Sequence, residues 1–128
     1  MSSEKHENQT KAYKAFIVMD AQVFPIDKPL TSIGRDFSND LVIQNAQVSR
    51  VHAEVRYIND TFEIVDLEST GGTYVNNVKV KQSKIFSGDL ILVADVPLMF
   101  LSGKESIYQE LEKQTVKMKK KEDENTTS

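Results

Sequence analysis

Short runs of β-branched and aromatic residues, separated by turn-forming residues, fill the chain between Tyr13 and Leu101. In the run from Val51 to Tyr57 apolar and polar residues alternate, which is the period of a half-buried strand. Asn59 and Asp60 follow it, and such a pair between alternating runs is typical of a hairpin turn. Many short strands with closely spaced turns predict an all-β fold, an antiparallel sandwich or barrel.

Ten runs are predicted as strands on this basis. We expect Val51 to face the same side as Ala53 and Val55, and His52 to face the other side. Ser87, Gly88 and Asp89 have the composition of a turn that leads into a core strand. The predicted strands are Ala15–Met19, Gln22–Ile26, Thr31–Gly34, Asp40–Ile43, Val51–Tyr57, Phe62–Leu67, Thr73–Val75, Val78–Val80, Asp89–Val93 and Leu98–Leu101.

Composition divides the chain into three segments. Residues 1–12 are predicted to be a polar, disordered leader and residues 13–102 the β-sandwich domain. Residues 103–128 form a charged tail that is partly helical or disordered. Ile107, Leu111 and Met118 fall on one helical stripe, so part of Ser106–Lys119 can form a short amphipathic helix or remain a solvated linker.

Charge and composition exclude several classes of function. The net charge is −3, and residues 13–102 contain 8 Lys/Arg against 11 Asp/Glu, so the domain lacks the basic excess typical of nucleic-acid binding. Lysines at 117 and 119–121 are offset by acidic residues at 122–124, which favours a solvated linker over a nucleic-acid arm. We therefore expect no nucleic-acid partner.

The residue content also bounds location and cofactors. The chain has no cysteine, which excludes disulfides and thiolate metal sites. It contains no apolar run near the roughly 20 residues that span a bilayer, and its first residues lack a signal-peptide core. We expect a cytoplasmic protein with no membrane partner, no metal and no cofactor.

Two clusters at strand ends contain groups that bind anions. Gly34 and Arg35 end an apolar strand, where glycine permits a sharp turn and Arg presents a planar fork of donors suited to phosphate. Ser49 and Arg50 enter the next long strand, where a hydroxyl and loop N–H groups can form an anion nest. Each cluster alone is equally compatible with an ordinary surface Arg and a polar loop.

A third cluster runs from Asp66 to Asn76 and contains Gly71 and Gly72 between hydroxyl side chains. It lacks the Gly-Lys-Ser/Thr ending of a nucleotide-binding loop, and a strand follows it where such loops have a helix. Ser49, His52 and Asp66 are the ingredients of a hydrolase triad, but no strand-turn-helix elbow surrounds the serine. We therefore expect a structural histidine and no enzyme activity.

In this order the clusters resemble the forkhead-associated (FHA) domain family over about Ala15 to Leu101. The matching segments are Ile33-Gly34-Arg35, Asn39 to Ile43, Val48 to Ala53, Ser69 to Asn76 and Gly88-Asp89. The resemblance implies an eleven-stranded β-sandwich whose loops at one end bind phosphothreonine peptides. It also implies that Arg35, Ser49, Arg50 and Thr70 bind the phosphate, and that Gly34, His52, Gly71, Gly72, Thr73 and Asn76 contact the peptide or shape the loops.

One position departs from the family pattern. Where many phosphopeptide-binding members have an asparagine that grips the main chain of the ligand, this chain has Gly71. The loss of one hydrogen bond is worth about 0.5–1.5 kcal/mol. We therefore expect phosphate binding to survive with looser peptide selection.

The function predicted from these residues is a phosphothreonine-peptide-binding adaptor that acts downstream of a Ser/Thr kinase. The alternative is a phospho-independent scaffold domain of the same fold, which Gly71 favours and Arg35 and Ser49 oppose. A further expectation concerns the termini: Thr126, Thr127 and Thr10 are possible phospho-acceptors, so a phosphorylated terminal segment could bind the loops of its own domain.

Overall fold

The computed structural model describes residues 14–103, which contain eleven β-strands and no helix. The prediction of a helix within 106–119 falls outside these residues. In chain order the strands are β1 Lys14–Met19, β2 Gln22–Ile26, β3 Leu30–Gly34, β4 Leu41–Val42, β5 Ala53–Ile58, β6 Thr61–Asp66, β7 Thr73–Val75, β8 Val78–Lys79, β9 Gln82–Ile85, β10 Leu90–Val93 and β11 Val96–Gly103.

The strands form two sheets. One has six strands in the order β2-β1-β11-β10-β7-β8, and the other has five in the order β4-β3-β5-β6-β9. β3 and β4 run parallel, with Ile33 opposite Leu41, whereas the pairs β1–β2, β3–β5, β5–β6, β6–β9, β7–β8, β7–β10 and β10–β11 are antiparallel. This all-β, predominantly antiparallel sandwich confirms the predicted fold class.

The core lies between the inner faces of the two sheets. Ile17, Ile91 and Phe100 of the six-stranded sheet are fully buried, as are Ile33 and Ile64 of the five-stranded sheet. Aromatic contact also links the sheets, because the rings of Phe62 and Phe100 pack edge to face with centroids 5.1 Å apart. Burial of these side chains supplies the main stabilisation of the fold.

The hairpin predicted at Asn59 and Asp60 is confirmed. Both residues have positive φ, 53° and 61°, which is the conformation of a type I′ turn, and they join β5 to β6. Gly88, with φ of 97°, lies in the turn before β10, where the sequence predicted one.

Two strand predictions need correction. β9 was not predicted, because Gln82–Ile85 contains a single apolar residue and no hydrophobic alternation. The face predicted for Val51 and His52 was wrong, since β5 begins only at Ala53. Val51 is 47% exposed and His52 is fully buried. The two residues belong to the loop before the strand, so strand alternation does not govern them.

Loops gather at one end of the sandwich, which we call the loop end. It consists of residues 35–40 between β3 and β4, residues 43–52 between β4 and β5, residues 67–72 between β6 and β7, and the turn at residues 94–95. Backbone hydrogen bonds join these segments, including those from Arg35 N to Ser49 O and from Ala94 N to Gly72 O, both 2.9 Å. Among the described residues there is no helix that is long and apolar enough to cross a membrane.

Candidate functional site

Arg35 is the first residue of the loop after β3, and hydrogen bonds fix its backbone and the inner part of its guanidinium. Its backbone N–H donates to Ser49 O and its Nε donates to Val48 O, both at 2.9 Å. The side chain is exposed, and its two Nη nitrogens make no hydrogen bond to any described residue. Arg35 is therefore a fixed guanidinium with its outer donors available to an anion.

Gly34 allows the Arg35 and Arg50 loops to approach each other. A Cβ at Gly34 would lie 2.2 Å from Arg50 O and 2.7 Å from Asn39 Nδ2. Asn39 closes the same contact, because its Nδ2 donates to Asp36 O at 2.8 Å and to Arg50 O at 2.7 Å. No role was predicted for Asn39, although its amide joins the two loops by hydrogen bonds.

Ser49 and Thr70 bring two further loops together. The backbone N–H of Thr70 donates to Ser49 Oγ at 3.0 Å. Ser49 Oγ thus accepts one bond, and its own O–H has no acceptor among the described residues. The Thr70 side chain is exposed and its hydroxyl is likewise unbonded there. Both hydroxyls remain free to donate to an oxyanion.

His52 is fully buried beneath these loops. Its Nδ1 accepts from the backbone N–H of Ser49 at 3.1 Å, so the proton must be on Nε2, which donates to Gly72 O at 2.8 Å. Asp66 Oδ1 lies 3.9 Å from Nε2, beyond hydrogen-bonding distance. With both ring nitrogens engaged by backbone, His52 fixes the loops and the Ser49, His52 and Asp66 set does not form a triad.

Asp66 organises the loop that contains Thr70. Its carboxylate accepts from the Ser69 hydroxyl, from Ser69 N at 3.1 Å and from Thr73 Oγ1 at 2.7 Å. Partial burial on its own raises the pKa of Asp66, but the bonds from Ser69 and Thr73 outweigh it and hold the pKa below its usual value. Ser69 Oγ in turn accepts from Gly72 N at 3.0 Å.

Asp40 plays a similar part beside β3 and β4. It accepts from Lys28 Nζ, from Ser32 N at 2.9 Å and from Ser32 Oγ at 3.1 Å. The bond from Lys28 and that from Ser32 N lower the pKa of Asp40. Lys28 is thus committed to an ion pair with Asp40, the last residue of the loop between β3 and β4.

The remaining predicted residues divide between the site and other parts of the domain. Gly72 has φ of 84°, a conformation that favours glycine, and its carbonyl accepts the bonds from His52 and Ala94. Asn76, in contrast, bonds to Asp89 Oδ1 and Leu90 N at 3.0 Å, so it fixes the turn after β7 and not the loop end. Thr10, Thr126 and Thr127 lie outside the described residues.

Neither arginine of the loop end is in an ion pair. In residues 14–103 the Lys and Arg side chains that pair with carboxylates are Lys28 and Arg56, while Arg35 and Arg50 pair with none. Arg50 is exposed and lies one residue beyond Ser49. The geometry thus places two unpaired guanidinium groups and two free hydroxyls on adjoining loops.

Within the described part no group of three or more His, Cys, Asp or Glu side chains is arranged to hold a metal.

A β-sandwich that carries unpaired arginines and free hydroxyls on the loops at one end is the class of protein that these features define. The FHA domain family model matches residues 31–94, half of the chain, and the chain belongs to this family.

Curated relatives share the same region. The chain is 39% identical over 83 residues to the glycogen accumulation regulator GarA of Mycolicibacterium smegmatis, a match that covers 65% of this chain and 52% of the relative. It is 38% identical over 80 residues to the oxoglutarate dehydrogenase inhibitor of Corynebacterium diphtheriae, covering 62% of this chain and 56% of that protein. The chain therefore spans about half the length of these relatives.

Solved structures show the same fold. One is an FHA domain from a structural and functional study of phosphothreonine-dependent FHA domain interactions, with a TM-score of 0.66, 25% identity and coverage of 69% of this chain and 95% of that chain. Another is Mycobacterium tuberculosis EmbR in complex with a low-affinity phosphopeptide, with a TM-score of 0.68, 25% identity and coverage of 78% and 28%.

Proposed function

We propose that this domain binds a phosphothreonine-containing segment of a partner protein and acts as an adaptor in Ser/Thr-kinase signalling. The observation that carries the proposal is that adjoining loops at the loop end carry Arg35, Ser49, Arg50 and Thr70, whose Nη groups and hydroxyls make no hydrogen bond to the described residues. The phosphate would be bound by the Arg35 guanidinium and the Ser49 hydroxyl, with Arg50 and Thr70 beside them.

The chemistry of a phosphate monoester fits this set of donors. Phosphothreonine carries about −1.5 to −2 charges at neutral pH and three strong acceptor oxygens. Two cations and two hydroxyls supply both the charge and the hydrogen bonds that it needs. Because the domain is acidic overall, the contribution to affinity comes from these short-range contacts and not from a long-range positive field.

Relatives support a regulatory role for such binding. The similar proteins include a glycogen accumulation regulator and an oxoglutarate dehydrogenase inhibitor, and two of the similar structures concern phosphothreonine-dependent or phosphopeptide interactions. Since phosphothreonine arises by kinase action, a Ser/Thr kinase must act upstream on the partner. A cytoplasmic location fits the same setting.

The domain acts by binding and not by catalysis. The only candidate base in the serine-containing cluster is His52, and both of its ring nitrogens are engaged by backbone groups. Arg35 and Ser49 are positioned by backbone bonds and face outward, which suits reversible capture of a ligand group.

A paired titration tests the proposal. Peptides from a phosphothreonine library would be compared with the same sequences unphosphorylated, by calorimetry or fluorescence anisotropy. We expect measurable affinity for phosphorylated members only. Equal affinity for both forms would reject the proposal and support the phospho-independent scaffold alternative.

A further inference from the structure

The outer side of the six-stranded sheet is apolar across four neighbouring strands, β2, β1, β11 and β10. Side chains alternate between the two sides of a strand, so the residues between buried core positions point away from the core. These outward residues form three registered pairs, which we call the apolar surface: Val18 with Val23, Leu90 with Met99, and Leu92 with Pro97. Val23 and Met99 are 47% and 42% exposed. The surface therefore presents apolar side chains where a solvated sheet face normally presents polar ones.

The five-stranded sheet has the usual polar arrangement on its own outer side. The outward positions of β5 and β6 include Glu54, Arg56 and Glu63, and Lys84 lies outward on β9. Among residues 14–103 this sheet covers only the inner side of the six-stranded sheet, and no described strand lies over the apolar surface. A contiguous exposed apolar patch is typical of an interaction site. The apolar surface therefore indicates a binding site for another segment of protein.

The size of the apolar surface limits what can bind it. Neighbouring strands lie about 4.8 Å apart and residues about 3.4 Å apart along a strand, so four strands of this length present an area of roughly 15 by 17 Å. A stable dimer buries about 800 Å² on each partner, roughly three times that area. A helix is about 10 Å wide and rises about 1.5 Å per residue, so one helix of about 13 residues fits the surface.

The next segment of the chain starts beside this surface. β11 carries Pro97 and Met99 of the apolar surface and ends at Gly103. The N–H of Ser102 donates to Ser87 Oγ at 3.1 Å, which fixes this end of the strand. Because β11 begins at the loop end, the chain leaves the sheet at the opposite end, and a helix that returned toward the loop end would cross the apolar surface.

Residues 106–118 have the pattern that such a helix needs. At 3.6 residues per turn, Ile107, Leu111 and Met118 fall on one side of the helix, while Gln109 falls on the opposite side. A helix of this length spans about 20 Å, close to the roughly 17 Å of the strands that it would cross. A helix this short is marginal in water on its own, so it depends on an apolar surface for its stability.

We propose that residues 106–118 form an amphipathic helix that packs on the apolar surface and covers it. Ile107, Leu111 and Met118 contact the sheet, and Gln109 faces water. Because the segment is joined to β11, it meets the surface at an effective concentration of about millimolar order. The helix thus adds an outer layer to the six-stranded sheet. The inference concerns this sheet and not the loop end, so it does not depend on the proposed function.

Hydrogen exchange of the full chain, followed by mass spectrometry, tests the contact from the side of the helix. We expect amides within 106–118 to be protected in wild type, and Leu111→Glu to raise their exchange rate about tenfold or more, because it brings a carboxylate into an apolar contact. Gln109→Glu adds the same charge on the opposite side and should leave the protection unchanged. Wild-type exchange at the rate of an unstructured peptide, or equal effects of the two variants, would overturn the inference.

A variant of the sheet tests the same contact from the other side. Met99→Glu places a carboxylate within the apolar surface and should raise exchange of residues 106–118 as Leu111→Glu does. Amides of β5 and β6, in the other sheet, report whether the sandwich remains folded. Val78→Glu is the matched control, since it changes an exposed apolar residue of β8 that lies outside the apolar surface. Protection of the segment that survives Met99→Glu, or that is lost equally in Val78→Glu, would contradict the proposed contact.

The mass of the protein in solution distinguishes this helix from a second copy of the chain. We expect the wild-type protection of residues 106–118 to be independent of protein concentration, with the mass of a monomer by light scattering. Protection that rises together with a dimer fraction would show that a second copy covers the apolar surface, and the inference would be wrong.

Discussion

The loop end and the outer face of the five-stranded sheet both carry charged side chains. The two regions differ in whether their arginines are paired with carboxylates. On the outer face, defined by Glu54, Arg56, Glu63, Gln82 and Lys84, Arg56 is in an ion pair and Glu63 is hydrogen-bonded, while Lys84 pairs with no carboxylate of the described residues. Arg56 pairs with Glu54 and lies opposite Glu63, which accepts from Gln82 Nε2 at 2.6 Å. At the loop end Arg35 and Arg50 have no carboxylate partner among the described residues.

The difference lies in what supports each cation. Glu54 and Arg56 lie two residues apart on one face of β5, so the charge of Arg56 is compensated along its own strand. At the loop end Arg35 is oriented by carbonyl and backbone contacts through Nε and N, which leave its charge uncompensated. A cation that is oriented but not neutralised is prepared for an anionic ligand, because little reorganisation is needed when the ligand arrives.

Replacement of one arginine in each region should give the largest difference in peptide affinity. Arg35→Ala should weaken phosphothreonine-peptide binding by about a hundredfold, since hydrogen bonds to charged groups are worth about 1.5–3 kcal/mol each. Arg56→Ala removes a guanidinium of the same kind from the outer face and should leave the Kd within about twofold. Calorimetric titration of both variants measures the contrast. Comparable losses would show that net charge, and not position, sets the affinity.

Substitution of two glycines by alanine should give the next largest effect, a loss of stability. A Cβ at Gly34 would lie 2.2 Å from Arg50 O, so Gly34→Ala should destabilise the domain by about 1–3 kcal/mol and displace the Arg35 and Arg50 loops. Gly88→Ala meets nothing within 4 Å but occupies φ of 97°, so it should cost about 1 kcal/mol through strain alone.

Chemical denaturation and peptide titration of both variants distinguish the two causes. Only Gly34→Ala should weaken binding, because only Gly34 adjoins the phosphate loops. If Gly88→Ala weakened binding equally, loss of stability and not loop geometry would account for both.

Acid should destabilise the loop end through Asp66. Its pKa is lower in the folded protein than in the unfolded chain, so its contribution to stability is present above the unfolded value and is lost as the pH falls through the folded one. Tm measured from about pH 6 towards 3 should therefore fall, and fall less steeply in Asp66→Asn than in wild type.

Asp27→Asn serves as the control for this pH series, because it removes an exposed carboxylate that has no hydrogen bond among the described residues. Its slope should match wild type. An unchanged slope in Asp66→Asn would contradict the assignment, although Asp40, which also has a lowered pKa, contributes to the acid sensitivity of every variant.

The smallest effect is expected on the outer face. Glu54→Gln removes the partner of Arg56 in a partly exposed pair, and ion pairs at a protein surface contribute about 0–1 kcal/mol. The free energy of unfolding should change by less than about 1 kcal/mol, and less so in high salt. A loss of several kcal/mol would show that this ion pair is not an ordinary surface pair.

The strands that sequence predicts best are those in which local signals agree. The hairpin at Asn59 and Asp60 combines alternation with turn residues, so both the strands and the turn were predicted. β9 lacks such a pattern because it is an edge strand, with Gln82 and Lys84 exposed, and polar edges resist pairing between molecules. Its presence depends on pairing with β6, which is a tertiary contact.

For the candidate site, the residue types suited to phosphate could be predicted from the sequence, but the contacts that arrange them could not. Arg35 and Ser49 stand out because their residue types suit phosphate, and their place in the family motif gives them a role. Contacts between distant parts of the chain were not visible, among them Asn39 with Arg50 and Gly71 with Ala94. These depend on how loops pack, which no local pattern in the sequence encodes.

The central claim is that phosphate is bound at the loop end by groups already oriented for it. Amide chemical shifts recorded by NMR during titration with a phosphothreonine peptide test it residue by residue. We predict shifts concentrated at Arg35, Ser49, Arg50 and Thr70, with Glu54, Arg56 and Glu63 unaffected, and no shifts with the unphosphorylated peptide. Shifts confined to the outer face, or equal for both peptides, would contradict the account.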